Sequence, residues 1–250
     1  MRLITTPIDE AFYSVRSLSV DYSAGGSEPS HTHQWPQLLY SKRGALKVKL
    51  AESIWIIPPR RALWVPAQTE HSLFMSSDLE LRTLYFRPDP LIVNLSRRAI
   101  NVSGLLHEAI LRVCQQHRLD DRSEADRCIY GVILNELKGS SATGYNLVMP
   151  IDDRAKKAAK KMLAADSDLK DALTYAGLTR RTAERIFAKQ TGMSPAQWLR
   201  MSRLTQSMIA LASGEPINKV SHDAGYQSRS AFSQAYKSVF GIPPGESCQN

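Results

Sequence analysis

One short pattern occurs twice near the carboxyl end of the chain. Residues 176–195 read AGLTRRTAERIFAKQTGMSP, and residues 224–244 read AGYQSRSAFSQAYKSVFGIPP. From Thr179 and Ser228 onward, the two copies keep a constant offset of 49 residues. A repeat of this period indicates one supersecondary unit that is used twice.

Each copy predicts a helix-turn-helix. A short helix ends at Gly177 or Gly225, because glycine takes the left-handed conformation at a helix end without steric cost. A hydroxyl residue, Thr179 or Ser228, then stands where the next helix needs an N-cap that accepts from an unpaired backbone N–H. We expect one motif at about residues 169–190 and the other at about residues 217–240.

The second helix of each motif is amphipathic, and its outer face carries polar side chains that suit DNA recognition. Arginine hydrogen-bonds guanine, glutamine hydrogen-bonds adenine, and glutamate accepts from cytosine. A merely solvated face would also be polar, but a repeated helix-turn-helix presents its second helix to a major groove. The predicted inner residues are Ala183, Ile186, Phe187, Phe232, Ala235, Tyr236 and Val239, and the outer ones are Arg181, Glu184, Arg185, Ser230, Ser233, Gln234 and Lys237.

A long helix is predicted between the copies, from the cap at Ser194-Pro195 to Ser213-Gly214. Such a rod would hold two recognition helices roughly one DNA turn (~34 Å) apart on one face of a duplex. Its predicted buried face consists of Trp198, Met201, Thr205, Met208, Ile209 and Ala212.

Residues from about 152 to 246 resemble the DNA-binding domain of AraC-family transcriptional regulators. The resemblance rests on residues 179–195 and on residues 224–243, and the second block is the more specific. It implies that Arg181, Glu184 and Arg185 contact bases from the first recognition helix, and Ser230 and Gln234 from the second. Four flanking residues complete the predicted DNA-binding set: Thr179, Ser228, Arg229 and Lys237.

The charge of the chain fits an anionic partner. The net charge is +8 and the isoelectric point is about 9.5. Residues 146–250 carry 15 Lys and Arg against 9 Asp and Glu, whereas residues 1–145 have a net charge of only +2. The basic excess therefore lies with the repeat, as neutralisation of phosphate requires.

Three cysteines, Cys114, Cys128 and Cys248, form an odd number without metal-binding spacing, which is typical of a reducing compartment. The amino terminus does not read as a signal peptide, and no apolar run approaches the ~18 residues of a membrane span. The sequence predicts a soluble, cytoplasmic protein without a membrane partner.

Residues 12–86 predict short antiparallel strands, because residues 13–20, 46–50 and 81–86 alternate apolar and polar side chains between Gly- and Pro-containing turns. Several short strands at this spacing indicate a small barrel or sandwich. Seven residues resemble the cupin pattern, with Gln37 in the place of a glutamate. They are Gly25, His31, His33, Gln37 and Gly44, followed by Pro66 and His71. Residues 55–66 with His71 resemble the subgroup that includes repressors of iron-protein genes.

The three histidines admit three interpretations. Imidazoles on one side of a cavity suit Zn, Ni or Fe, so His31, His33 and His71 are candidate metal ligands. With Gln37 and Trp35, they are also candidates for the lining of an effector pocket, since such pockets are mostly apolar with a few polar groups. The third interpretation is hydrogen bonding within the barrel.

Helical periodicity predicts two helices in residues 97–138. The first stripe is Leu105, Leu106, Ala109, Ile110 and Val113, and the second is Cys128, Ile129, Val132, Ile133, Asn135 and Leu137. By the resemblance these helices pair two subunits, and the alternative is that they pack on their own barrel. The composition of residues 138–144 is that of a flexible linker.

The predicted fold class is therefore α+β: a cupin-like sensor barrel (1–95), a helical, dimerising segment (96–138), a linker (139–151) and an all-α DNA-binding domain (152–246). We expect a transcription regulator, an activator or a repressor, and not an enzyme. Its expected partners are double-stranded promoter DNA, a small-molecule or metal effector, a second copy of the chain and, for an activator, RNA polymerase. The alternative is a cupin-type metal-dependent enzyme with a DNA-binding tail.

Overall fold

The computed structural model describes residues 12–51, 53–92, 95–140, 142–143, 146–164 and 167–245. The described residues form two compact units. The first unit comprises the described residues of 12–46 and 57–143. The second comprises the described residues of 47–56 and 146–245. Cys248 lies outside the described residues.

The first unit is built on a seven-stranded antiparallel sheet. Its order is β10-β1-β8-β3-β6-β9-β11. Two further strands, β2 and β7, pair with each other in antiparallel register. The strands of this unit are β1 (Tyr13–Tyr22), β2 (Ser27–His31), β3 (Gln37–Arg43), β6 (Arg61–Val65), β7 (His71–Met75), β8 (Leu79–Phe86), β9 (Arg98–Asn101), β10 (Arg118–Asp120) and β11 (Ala142–Thr143).

Two helices pack on this sheet, α1 (Gly104–Gln116) and α2 (Glu124–Gly139). Ser103 and Ser123 cap their amino ends by accepting from Leu106 N and Asp126 N. Their apolar stripes are buried against the strands in one core. The helices thus cover their own sheet, which is one of the two arrangements that the sequence left open. Residues of this core include Val15, Leu38, Tyr40, Trp64, Phe86, Leu106, Ile110, Val113, Ile133 and Leu137.

Three members of the predicted stripes do not join this core. Leu105 is 58% exposed, and Cys128 and Asn135 are exposed as well. The helices meet the sheet along a narrower strip than periodicity alone predicts, and residues at the margin of that strip face outward.

The second unit combines two strands from the first half of the chain with the carboxyl-terminal part. β12 (Asn146–Val148) pairs in antiparallel register with β5 (Ser53–Ile57), which lies beside β4 (Leu46–Leu50). Leu147 lies opposite Ile54 and is buried in the core of this unit. β11 and β12 both lie within residues 139–151, whose composition gives no sign of these strand pairings.

Six helices follow β12: α3 (Asp153–Met162), α4 (Leu169–Tyr175), α5 (Arg180–Thr191), α6 (Pro195–Ala212), α7 (Ile217–Asp223) and α8 (Arg229–Phe240). Aromatic rings link α8 internally, with centroids 5.6 Å apart for Phe232 and Tyr236 and 4.6 Å apart for Tyr236 and Phe240. The predicted α+β organisation, an antiparallel β domain followed by helices and a helix-turn-helix domain, is confirmed. In the part of the chain that the structure describes, no helix combines the length and apolarity needed to cross a membrane.

Candidate nucleic-acid interface and histidine cluster

The first helix-turn-helix is formed by α4 and α5. Gly177, just after α4, has a φ of +63°, in the left-handed region that glycine tolerates. The Thr179 hydroxyl accepts a hydrogen bond from Thr182 N at 3.3 Å and so caps α5. The carboxylate of Asp168 caps α4 in the same way, at 2.7 Å from Asp171 N. The predicted turn and cap are confirmed.

The second helix-turn-helix, α7 and α8, repeats this geometry. Gly225 has a φ of +82°. The Ser228 hydroxyl accepts from Ala231 N at 3.2 Å. The two motifs therefore share a glycine turn and a hydroxyl N-cap, as the repeat predicts.

The recognition helices bury one face and expose the other. The inner residues are buried as predicted, except Val239, which is only partly buried. Because the inner face holds each helix in place, the outer face is free to contact a partner. Exposed members of the predicted DNA-binding set are Thr179, Arg181, Glu184, Arg185, Ser228, Arg229, Ser230, Gln234 and Lys237.

An ion pair on α5 was missed at the level of sequence. Arg180 Nε lies 3.1 Å from Glu184 Oε1, and both side chains are exposed. Their spacing of four residues, which places side chains side by side on a helix, was the available signal. The pair orients the Glu184 carboxylate on the outer face.

Helix α6 connects the two motifs. A capping box starts it, with Ser194 Oγ accepting from Gln197 N and Gln197 Oε1 accepting from Ser194 N. Trp198 packs on Phe187 of α5 with ring centroids 5.9 Å apart, and its indole Nε1 donates to Val148 O at 2.7 Å. Further along, Arg200 Nε donates to the hydroxyl of Tyr226, next to α8, at 3.2 Å. Helix α6 therefore contacts α5 and the turn that precedes α8.

In the first unit, three histidines lie together. His31 ends β2 and His71 begins β7, and the two are paired in register. The centroid distances between the rings are 4.4 Å for His31 and His71, 4.8 Å for His31 and His33, and 5.3 Å for His33 and His71. His33 lies two residues beyond the end of β2. Its ring nevertheless converges with the other two.

Backbone carbonyls orient two of these rings. His31 Nδ1 is 2.7 Å from Pro29 O, and His71 Nδ1 is 2.9 Å from Thr69 O. A carbonyl only accepts, so each Nδ1 carries the proton and each Nε2 keeps its lone pair. Both Nε2 atoms, and both ring nitrogens of His33, are buried without a hydrogen-bond partner among the described residues.

Gln37 and Tyr85 border the cluster. Gln37 is buried, and its Nε2 donates to the Tyr85 hydroxyl at 3.1 Å. The Tyr85 ring lies 5.0 Å from the His33 ring. Trp35, predicted to line the same site, is partly buried, and none of the ring contacts within the described chain joins it to the histidines. Tyr85 had no recognisable signal in the sequence, because only the pairing of β3 with β8 brings it to Gln37.

Burial keeps the imidazoles of His33 and His71 neutral. The pKa of His33 is lowered to about 4 by burial first and then by repulsion from His31 and His71. The pKa of His71 is also lowered to about 4 by burial, an effect that outweighs the hydrogen bond to Thr69, which raises the pKa. Neutral imidazole is the form that accepts a hydrogen bond or binds a metal.

These shifts predict how stability depends on pH. Because both folded-state pKa values lie below the ordinary 6.5, the stabilisation is present above pH 6.5 and is lost as the pH falls towards 4. We expect the free energy of unfolding of metal-free protein to fall by roughly 1–3 kcal/mol between about pH 7 and pH 5. Urea unfolding at the two pH values measures it. A His33→Gln, His71→Gln double variant should lose most of this difference, and an unchanged difference would contradict the assignment.

Comparison with known proteins now identifies the class. Residues 13–129 match the family described as an AraC-like ligand binding domain, and residues 172–249 match the family described as a helix-turn-helix domain. The chain is 25% identical over 222 residues to the HTH-type transcriptional regulator NimR of Escherichia coli (strain K12), covering 88% of this chain and 81% of NimR. It is 22% identical over 241 residues to the HTH-type transcriptional activator RhaS of Mannheimia succiniciproducens, covering 87% and 88% of the two chains.

Among solved structures, the chain is similar to unsaturated fatty acid bound wild-type ToxT from Vibrio cholerae strain SCE256, with a TM-score of 0.39, 14% identity and 96% of each chain covered. The chain belongs to the AraC family of transcriptional regulators. It combines the ligand-binding domain of that family with its helix-turn-helix DNA-binding domain. The narrower resemblance to repressors of iron-protein genes is not confirmed and stays a prediction.

Proposed function

We propose that the chain binds one bipartite promoter site by inserting α5 and α8 into successive major grooves of a duplex. The supporting observation is that both helices carry the same hydroxyl cap and the same exposed polar face. α6 contacts α5 and the turn of the second motif, and it has 18 residues, which corresponds to about 27 Å of helix. This length suits a separation of about one DNA turn.

We assign direct base reading to the centre of each outer face. Arg181 and Arg185 suit guanine, Gln234 suits adenine, and Glu184 suits cytosine. Ser230 adds a hydroxyl that serves as donor or acceptor. The first motif thus supplies the charged contacts, and the second reads through neutral hydrogen bonds.

The residues that flank these positions suit the phosphate backbone. Thr179 and Ser228 lie at helix amino termini, where backbone N–H groups and the helix dipole favour anions. Arg229 and Lys237 add positive charge near the second helix. Since phosphate contacts position a protein without reading sequence, these residues contribute affinity more than specificity.

The ligand-binding domain would act on DNA affinity by linkage. An effector that binds one conformation of the regulator more tightly than another shifts DNA binding by that difference in affinity, and no catalysis is required. We also propose that the protein acts as a homodimer in the cytoplasm. If it activates transcription, RNA polymerase is a further partner.

Selection of bound sequences from a random DNA pool tests the proposed function. We expect a motif with two conserved blocks whose centres lie about 10 base pairs apart. Repeating the selection with candidate effectors shows whether affinity responds to them. Binding of all sequences alike would contradict the proposal.

Replacing Arg185 with Ala should weaken binding to the selected site by about 1–3 kcal/mol and relax the preference at one base position, because a bidentate contact is lost. Titration of labelled cognate and scrambled duplexes measures both effects. Lys160→Ala on α3 is the matched control. We expect this exposed lysine to contact phosphate and not bases, so its loss should weaken all sequences alike and reduce the salt dependence. If Arg185→Ala binds both duplexes like the parent, α5 is not the recognition helix.

A further inference from the structure

The histidine cluster of the first unit indicates a binding site that is separate from DNA recognition. We propose that His31, His33 and His71 together bind one divalent transition-metal ion through their ring nitrogens. His31 and His71 would bind through Nε2, because their Nδ1 atoms face the carbonyls of Pro29 and Thr69. Ligand nitrogens of the three residues lie within 4.8 Å of one another.

The hydrogen bonds to Pro29 and Thr69 are those expected around a metal site. A histidine that binds a metal generally donates its other N–H to a carbonyl or carboxylate, which fixes the tautomer and the direction of the ring. Two of the three rings already have this arrangement. The backbone therefore directs lone pairs, and not protons, towards the centre of the cluster.

Buried polar atoms normally have partners, so unpaired nitrogens at the centre of the cluster require an explanation. Nε2 of His31, Nε2 of His71 and both ring nitrogens of His33 have no partner among the described residues, and His71 is 1% exposed. A single water has two hydrogens and satisfies two converging lone pairs. One cation satisfies three lone pairs, one from each ring, and the other nitrogen of the neutral His33 ring carries its proton.

The spacing fits an ion after a small closure of the rings. Zn–N bonds of about 2.0–2.1 Å in a tetrahedron place ligand nitrogens roughly 3.4 Å apart. The observed limit of 4.8 Å exceeds that separation by about an ångström, which side-chain rotation supplies. The backbone itself is fixed, since Gln68 N donates to His33 O at 2.8 Å and β2 pairs with β7.

The donor set selects the class of metal. Imidazole suits zinc, copper, iron and nickel, whereas magnesium and calcium take oxygen ligands. Three histidines leave one position of a tetrahedral site for water or another exchangeable ligand. Gln37, whose buried Oε1 has no partner within the described residues, lies at the edge of the cluster through its contact with Tyr85.

Zinc titration of the metal-depleted, full-length chain tests the proposal. We expect one Zn²⁺ per chain by equilibrium dialysis with elemental analysis. His33→Gln and His71→Gln should each weaken binding at least about 100-fold, because loss of an outer-shell partner alone costs 10–100-fold. His222→Gln is the matched control, since that imidazole is exposed on α7, and it should bind like the parent.

A measurement on the unaltered protein covers the case in which a variant does not fold. X-ray absorption at the zinc edge should show about three imidazole nitrogens at roughly 2.0 Å. Three results would each overturn the proposal. They are binding of less than one ion per chain, equal affinity in the His71→Gln and His222→Gln variants, and a spectrum without imidazole. None of these results depends on DNA, so failure of this inference is distinguishable from failure of the proposed function.

Discussion

Replacing Gly44 with Ala should strongly destabilise the first unit. Gly44 connects β3 to β4 with a φ of +79°, and a Cβ built on it would lie 2.0 Å from Asp78 O and 3.1 Å from Leu79 Cα. These obstacles are backbone atoms at the start of β8, so they yield only if the central strands of the sheet move. The left-handed conformation and the clash together should cost about 3–5 kcal/mol.

Gly25→Ala is the matched control for this clash. Its φ of +83° is nearly the same, but no heavy atom lies within 4 Å of its added Cβ. It should therefore show only the conformational cost of about 1–2 kcal/mol. Urea unfolding of both full-length variants gives the comparison. Equal destabilisation of the two variants would show that the contact with Asp78 has no energetic consequence.

Trp198→Ala should disorganise the first recognition helix and abolish specific DNA binding. The indole is fully buried, packs on Phe187 and donates to Val148 O at 2.7 Å. Truncation of a buried tryptophan costs about 3–5 kcal/mol through lost burial and the cavity that remains. Phe187 holds α5 in place through its buried ring. The loss of the Trp198 indole beside it therefore also loosens the helix that positions Arg181 and Arg185.

The milder change Trp198→Phe keeps an aromatic ring against Phe187. It removes three ring atoms, among them the N–H donor, so we expect a cost of about 1–3 kcal/mol and near-parent DNA affinity. Thermal unfolding and titration of the cognate duplex measure the two effects. If Trp198→Ala retains full affinity for that duplex, α5 does not depend on this contact.

Local chemistry made the DNA-binding unit predictable. The caps at Thr179 and Ser228 and the glycine turns depend on residues within four positions of each other, so the sequence contains the whole signal. The buried faces of α5 and α8 were predictable for the same reason, because helical periodicity assigns each side chain to a face.

The histidine cluster was only partly predictable. The three imidazoles were singled out by their spacing, but their tautomers depend on carbonyls of Pro29 and Thr69, and Tyr85 arrives through strand pairing. Such long-range pairing has no local sequence signature. The same reason explains why β12 was not expected within the predicted linker, residues 139–151, since its partner β5 lies about ninety residues earlier.

The strand pair of β5 and β12 limits how this regulator can be divided or recombined. A fragment that starts at residue 152 would leave behind Leu147 and the Val148 carbonyl on which Trp198 depends. A fragment that starts at residue 146 would retain both but would lack Ile54 and its strand. Any chimera joined within residues 139–151 therefore has a β12 strand without its native partner β5. To exchange sensors between such regulators, residues 46–57 must be exchanged together with the carboxyl-terminal half.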